Sequence, residues 1–204
     1  MSNNFWNEHY SKFNISEPSD FAKFCVEKHF NLNNLVIEFG CGNGRDGMYF
    51  LRNNFNYVGY DISPTAIKKF NESLISLDYQ PEVLNKSFVD FKINNNEEVQ
   101  IYSRFTMHSI DLESQMEIIK KLKKLKNKFT FYLEVRTIHD ELFGKGKSLK
   151  KNEFIDTHFR RFIDPKEFIE LINTNFNINY YNLSRYLAVY KDENPKVMRM
   201  IFSN

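Results

Sequence analysis

Short apolar runs separated by amphipathic stretches recur along the chain, and this pattern predicts strands alternating with helices. Phe21, Phe24 and Cys25 mark the apolar side of a helix near residues 19 to 30, after Pro18, and a strand from Leu35 to Phe39 follows. A second helix over about 45 to 53 leads into a strand from Tyr57 to Tyr60. Ser63 then stands as an N-cap with Pro64 at the first helical position, and Ile67, Phe70, Leu74 and Leu77 continue that helix. A third strand is expected to finish near Phe88-Val89-Asp90-Phe91, with Asn94-Asn95-Asn96 as a polar loop and Val99 to Ser103 as the fourth strand. Leu112, Met116, Ile119, Leu122 and Leu125 predict one stripe of a long amphipathic helix, and Phe129 to Val135, aromatic and β-branched, predicts a fifth strand.

Residues 137 to 160 read as a longer irregular stretch, an insertion ahead of the next helix. Asp164-Pro165-Lys166-Glu167 has the form of a capping box with proline in the first turn, opening a helix through Phe168, Leu171 and Ile172. Strand-like segments near 176 to 183, 186 to 190 and 196 to 202 close the chain, with Lys191-Asp192-Glu193-Asn194-Pro195 as the turn between the last two. The alternation predicts an α/β fold, an open doubly wound sheet, mostly parallel, with helices on both faces. A terminal hairpin makes the last strand antiparallel, since no further crossover helix is left to return the chain.

At 204 residues the chain is expected to be a single domain, 1–204, with residues 1–30 as an N-terminal cap segment and helix. A net charge of +2 from 28 basic and 26 acidic residues is too even for the basic footprint of a nucleic-acid binder, and nucleic acid is disfavoured as a partner. Lys120, Lys121, Lys123, Lys124, Lys126 and Lys128 crowd around the long helix, either as a solvated face or as a contact for an anionic partner. Cys25 and Cys41 cannot build a disulfide framework, so a reducing compartment is expected. With no basic-then-apolar leader and no apolar run of spanning length, the expectation is a cytoplasmic protein without a membrane partner. The sequence carries no mark of an oligomeric state.

The candidate chemistry starts where the first strand empties into glycines, Val36-Ile37-Glu38-Phe39-Gly40-Cys41-Gly42-Asn43-Gly44-Arg45-Asp46. Such a turn lets backbone approach a ligand closely. Asp61, at the tip of the next strand and one βαβ unit after Gly40, is placed to accept hydrogen bonds from ribose hydroxyls. Two frames compete. From Gly42 the turn reads Gly42-Asn43-Gly44-Arg45-Asp46-Gly47, a G-x-G-x-x-G, which suits an NAD(P)-dependent oxidoreductase but leaves Glu38 and Gly40 without a role. From Gly40, three alternating glycines behind Glu38 suit the amino-acid portion of S-adenosylmethionine, with the Glu38 carboxylate supporting the turn and the ligand's ammonium.

On these residues the chain resembles the class I S-adenosylmethionine-dependent methyltransferases, over most of its length and most specifically from Glu38 to Gly44 and at Asp61. The resemblance implies a Rossmann-like sheet of seven strands with the last one reversed, S-adenosylmethionine as cofactor and S-adenosylhomocysteine as product. It places Glu38, Gly40 and Gly44 at the methionine end, with Cys41 and Gly42 also on the cofactor, Asp61 on the ribose, Ile62 against the adenine ring, and Asp90 with Phe91 at adenine. Ser103, at the end of the fourth strand, joins the cofactor side, and Trp6 and Tyr10 fold back over the cofactor or else pack in the core.

Methyltransferases of this class that act on nucleic-acid amines carry an Asn/Asp-Pro-Pro-aromatic motif after the fourth strand, where this chain has Ser103-Arg104-Phe105-Thr106-Met107-His108. The absent prolines point towards an oxygen acceptor. His108 is the candidate general base, the alternative being a histidine hydrogen-bonded in a loop. Arg104 and Arg136 at strand tips, with His158, Arg160 and Arg161 on the acceptor side, suit a phosphate or carboxylate if they converge. Each arginine alone reads as an ion-pair partner of Glu134, Glu141 or Asp164. A phosphate-type oxygen is already ionised, and His108 then positions it. His139 to Lys151, with Gly144 and Gly146, reads either as a lid or as a surface loop. No metal is expected, because no ligand cluster has the right spacing.

The tracts around His108, Arg136 and Arg160 also resemble small bacterial methyltransferases of surface-polysaccharide modification. That resemblance implies an O-methyltransferase acting on a small, phosphate-bearing acceptor such as a sugar nucleotide or a phosphoramidate precursor of capsule. A non-catalytic, cofactor-binding protein is the remaining alternative.

Overall fold

Apolar runs become buried strands and amphipathic runs become helices in the computed structural model, which describes residues 3–12, 17–77, 79–93 and 98–204. In chain order these are α1 (Asn3–Lys12), α2 (Asp20–Lys28), β1 (Leu35–Phe39), α3 (Gly47–Arg52), β2 (Tyr57–Asp61), α4 (Pro64–Leu74), β3 (Glu82–Asn85) and β4 (Val99–Arg104). There follow α5 (Leu112–Lys124), β5 (Phe129–Arg136), β6 (Lys147–Lys150), β7 (Glu153–Ile155), β8 (Phe159–Arg161), α6 (Pro165–Asn173), β9 (Asn177–Ser184) and β10 (Val197–Ser203). Seven strands form a mostly parallel sheet in the order β3-β2-β1-β4-β5-β10-β9, and β10 runs antiparallel to both β5 and β9. The expected fold class and the reversed last strand are therefore present. Among the described residues no helix is long and apolar enough to cross a membrane.

The chain divides into two units, Met1–Tyr102 and Ser103–Asn204. In the first, Val36, Ile37 and Phe39 of β1 are buried on successive positions, as strands covered on both faces require. Asp46, itself buried, is the internal tie: it accepts the Ser19 N–H (2.7 Å), the Ser19 hydroxyl (2.7 Å) and the Tyr102 hydroxyl (2.8 Å). Ser19 Oγ meanwhile caps α2 by accepting the Ala22 N–H at 3.1 Å. Ser63 caps α4 as expected, accepting the Ala66 N–H at 3.1 Å, and its hydroxyl donates to Asn7 Oδ1 of α1 at 2.7 Å. Leu77, expected within this helix, lies beyond its end in a turn closed by the Leu77 N–H on Leu74 O.

The strand expected to end at Phe88–Phe91 lies earlier, at Glu82–Asn85, and Phe88–Asp90 is a 3₁₀ turn. Ser87 Oγ accepts the Val89 N–H and starts the turn, while Phe88 stacks on Phe39 with centroids 5.3 Å apart and Phe91 packs tilted against it at 5.1 Å. The apolar run thus pins a turn into the core. Asn94-Asn95-Asn96 lies outside the described residues.

In the second unit Asp111 caps α5, accepting the Ser114 N–H at 2.8 Å. The buried row of α5 is Gln115, Ile118, Ile119 and Leu122, whereas Leu112 and Met116 of the expected stripe are exposed. A buried polar residue fits this row because Gln115 Oε1 accepts from the Arg161 guanidinium. Of the lysines around α5, Lys120, Lys123, Lys124, Lys126 and Lys128 are exposed. Residues 137–160, expected to be irregular, contain β6 and β7, which with β8 make a three-stranded antiparallel sheet. Asn152 turns β6 into β7 with a φ of 62°, a left-handed value that asparagine tolerates. Asp164 caps α6 through the Lys166 and Glu167 N–H groups. The segment 186–190 is not a strand, since Tyr190 makes only an isolated bridge to Glu193 in the connection between β9 and β10.

Candidate active site

The glycine turn after β1 is laced to the end of β2. Tyr60 O accepts the N–H groups of both Gly40 and Cys41 at 2.8 and 3.0 Å. Asp61 Oδ2 accepts the Gly42 N–H at 2.9 Å, and its Oδ1 accepts the Ser63 N–H at 2.8 Å. Burial raises the Asp61 carboxyl above its ordinary value, opposed by the N–H groups of Ser63, Gly42 and Ile62. Each oxygen keeps a lone pair for a further donor, so a pair of hydroxyls can be taken without disturbing the loop. Gly42 and Gly44 have φ values of 56° and 85°. A Cβ at Gly42 would run into the Tyr10 hydroxyl, and one at Gly44 into the Phe70 ring.

Glu38 is buried, and its Oε2 accepts the Tyr57 hydroxyl at 2.6 Å. Tyr57 is a site residue that the sequence did not reveal. Its position follows from register: Val36 pairs with Tyr57 and Glu38 with Gly59, where a Cβ would lie 2.7 Å from the Tyr57 hydroxyl. Burial and the Glu38 carboxylate push the Tyr57 hydroxyl well up, and burial with Asp61 and Glu38 does the same to the Cys41 thiol, so both keep their protons. Gly47, which completes the competing G-x-G-x-x-G frame, is accounted for by packing, because a Cβ there would strike Phe70 and Tyr57.

Tyr10 reaches this loop from α1, with Trp6 beside it at a centroid distance of 6.3 Å. Burial, then Asp61, Cys41 and Glu38, raises the Tyr10 hydroxyl well above its ordinary value. Ile62 follows Asp61 directly and is half-buried, Asp90 is exposed at the end of its turn, and the Phe91 ring is spent against Phe39 in the core. The structure thus gathers Tyr10, Glu38, Gly40, Cys41, Gly42, Gly44 and Asp61, and leaves Phe91 as a packing residue.

In the second unit Ser103 is buried, its hydroxyl 2.6 Å from Thr106 Oγ1. His108 lies on a 3₁₀ turn, Met107–Ser109, packed against β5 and β8. Its imidazole is buried, with Nδ1 accepting the Arg136 N–H at 3.5 Å. Burial, then Arg136, Arg160, His158 and Arg161, holds its pKa well below the ordinary value. Four of the five expected cations, Arg136, Arg160, His158 and Arg161, thus act as a field on the imidazole. An Nδ1 that accepts leaves the ring proton on Nε2.

The same arginines are also tied to the protein. Arg104 Nε is 2.9 Å from Glu134, one of the three partners the sequence offered. Arg136 makes two bonds to Asp140 (3.0 and 3.2 Å) and one to Glu193 (2.6 Å). Arg160 pairs with Asp156, and Arg161 donates to Ile110 O and Gln115. Burial lowers the Arg161 guanidinium to about 10, with Glu153 and Asp111 opposing. His158 Nδ1 lies 3.1 Å from the Thr157 hydroxyl. Phe105, also unforeseen, stands between the guanidinium groups of Arg104 (4.4 Å) and Arg136 (5.4 Å) and holds a φ of 56°, a strained conformation for an aromatic residue. Asp140, which accepts the Leu142 N–H, fixes the start of the 139–151 segment, and β6 occupies its second half.

Residues 36–128, which include the glycine turn and Asp61, match the family model of a methyltransferase domain. The match covers just under half of the chain. The chain is an enzyme with S-adenosylmethionine as cofactor, and the loop fits that group by its positive-φ glycines and the spare lone pairs of Asp61. No curated protein matches the sequence. Among solved structures, a SAM-dependent methyltransferase from Methanosarcina mazei is 14% identical with a TM-score of 0.72, covering 88% of this chain and 96% of that one. The CcbJ methyltransferase from Streptomyces caelestis is 11% identical with a TM-score of 0.72, covering 99% and 98%. The 1,6-didemethyltoxoflavin-N1-methyltransferase from Burkholderia thailandensis is 14% identical with a TM-score of 0.64, covering 90% and 76%. At these identities the likeness is one of fold.

Proposed function

We propose that this methyltransferase acts on an ionised oxygen of a small anionic acceptor, of phosphate or carboxylate type. The observation that carries the reading is the buried, neutral His108 in the field of Arg136, Arg160, His158 and Arg161. An ionised oxygen needs no general base, and the Nε2–H of His108 is suited to donate to it and orient it. The cationic field favours the anion before transfer. Because Arg136 and Arg160 are already paired, they act on the acceptor mainly through that field.

Bound S-adenosylmethionine supplies an electrophilic methyl group. The residues of this chain suited to hold it are Glu38, oriented by Tyr57, the turn from Gly40 to Gly44, and Asp61 on the ribose hydroxyls. Tyr10 covers the turn at Gly42. Sugar nucleotides and phosphoramidates, the acceptors implied by the resemblance to capsule-modifying methyltransferases, are the first to test, with a cytoplasmic site of action.

The test is a methyl-transfer assay that reads S-adenosylhomocysteine release over a panel of phosphorylated, carboxylated, neutral hydroxyl and amine acceptors. Turnover confined to phosphates, phosphoramidates or carboxylates is expected. Turnover of amines or neutral alcohols alone would overturn the anionic-oxygen reading while leaving the methyltransferase intact.

A further inference from the structure

A cleft of about 510 Å³ opens in the second unit at the start of α5, beside β6, β7 and β8 and the first turns of α6. Its polar wall is a cross-strand row. Lys150 of β6 pairs in register with Glu153 of β7, and Glu153 with Arg161 of β8. Glu153 is 5% exposed, and among the described residues its carboxylate makes no close side-chain hydrogen bond or ion pair, its charge being answered at longer range by Arg161. Its oxygens are not sealed off but reach solvent at the cleft, where they can accept from water or from a ligand's donors. Arg161 is 6% exposed and committed through Nε and Nη2 to Ile110 and Gln115. The opposite wall is apolar, with Leu112, Phe168 and Leu171.

The charge order of the row selects the ligand. An ammonium placed at Glu153 would sit beside Lys150 and Arg161, and an anion placed at those cations would meet Glu153. The flanking cations compensate the carboxylate's charge and leave two acceptor oxygens that suit two adjacent neutral donors. We propose that this cleft binds an uncharged vicinal diol on a ring with an apolar face, as in a sugar unit, with the diol on Glu153 and the ring against Leu112, Phe168 and Leu171. The volume falls within the range of small-molecule sites, about 300–1,000 Å³. The inference rests on Glu153 and the apolar wall and not on the reading of the methyl acceptor, with Arg161 common to both.

The experiment uses the full chain with trans-1,2-cyclohexanediol and a panel of methyl glycosides, followed by saturation-transfer NMR and calorimetry. Cyclohexanol, cyclohexylammonium and cyclohexanecarboxylate serve as matched controls. Saturable binding of the diol or of a glycoside is expected, at least tenfold tighter than cyclohexanol and either ion, and at least tenfold weaker in Glu153→Gln. Leu112→Trp, a change at an exposed lining position, should abolish binding by filling the cleft while S-adenosylhomocysteine affinity is kept. No saturable diol or glycoside binding, equal binding of cyclohexanol, tighter binding of either ion, or binding unchanged in Leu112→Trp would overturn the proposal.

Discussion

The carboxylate of Asp61 holds the Gly42 N–H at 2.9 Å, so the acid expected to face the ribose also fixes the turn expected to face the methionine end. Removing it should act twice. Asp61→Ala is expected to weaken S-adenosylhomocysteine binding by about 1–3 kcal/mol through lost hydrogen bonds, read by calorimetry. Unchanged affinity would show that the ribose lies elsewhere.

Gly42 combines a φ of 56° with the Tyr10 hydroxyl where a Cβ would go. Gly42→Ala should destabilise the chain by about 1–2 kcal/mol from the backbone alone, with the clash added. Adding Tyr10→Ala should relieve only the clash. Urea melts of the single and double variants measure the difference, and full recovery in the double variant would mean that the turn carries no backbone strain.

Glu134 is fully buried, with Arg104 Nε at 2.9 Å on one oxygen and Arg199 Nε at 2.7 Å on the other. Glu134→Gln leaves two cations without their counter-charge and is expected to cost about 3–5 kcal/mol, as broken buried pairs do. Chemical denaturation of the variant checks this. A loss below about 1 kcal/mol would mean that solvent compensates both arginines.

His108 titrates in the unfolded chain near 6.5, whereas burial and the neighbouring cations keep it neutral to lower pH when folded. Below about pH 6.5 the unfolded state therefore binds the extra proton, and stability falls as pH drops from there towards the folded pKa. Above that value the group contributes no slope. His108→Gln should flatten this acid-side decline by up to one proton, as seen in melts across pH 5 to 8. A slope identical to that of the parent chain would place the imidazole in solvent.

The strand Leu35–Phe39, the turn behind it and Asp61 are legible in the sequence because buried parallel strands are continuous apolar runs and the glycines have local reasons to be there. The reversed β10 is legible from the missing crossover helix. The sheet of β6, β7 and β8 is not, because all four residues of β6 are exposed and leave no alternation to read. Tyr57 is hidden for a different reason: its hydroxyl meets Glu38 only through the β1 to β2 register and the bare Gly59. Arg136 looks like an available cation until Glu193, far along the chain, is folded against it.

Ser63 carries three attachments at once: its N–H is on Asp61, its hydroxyl caps α4 through Ala66, and that same hydroxyl bonds Asn7 of α1. A single small side chain is thus the joint at which the donor loop, a helix start and the N-terminal helix meet. Hydrogen exchange at Ala66 and along α1 should consequently rise and fall together, so that the N-terminal helix reports on the state of Asp61 without touching it.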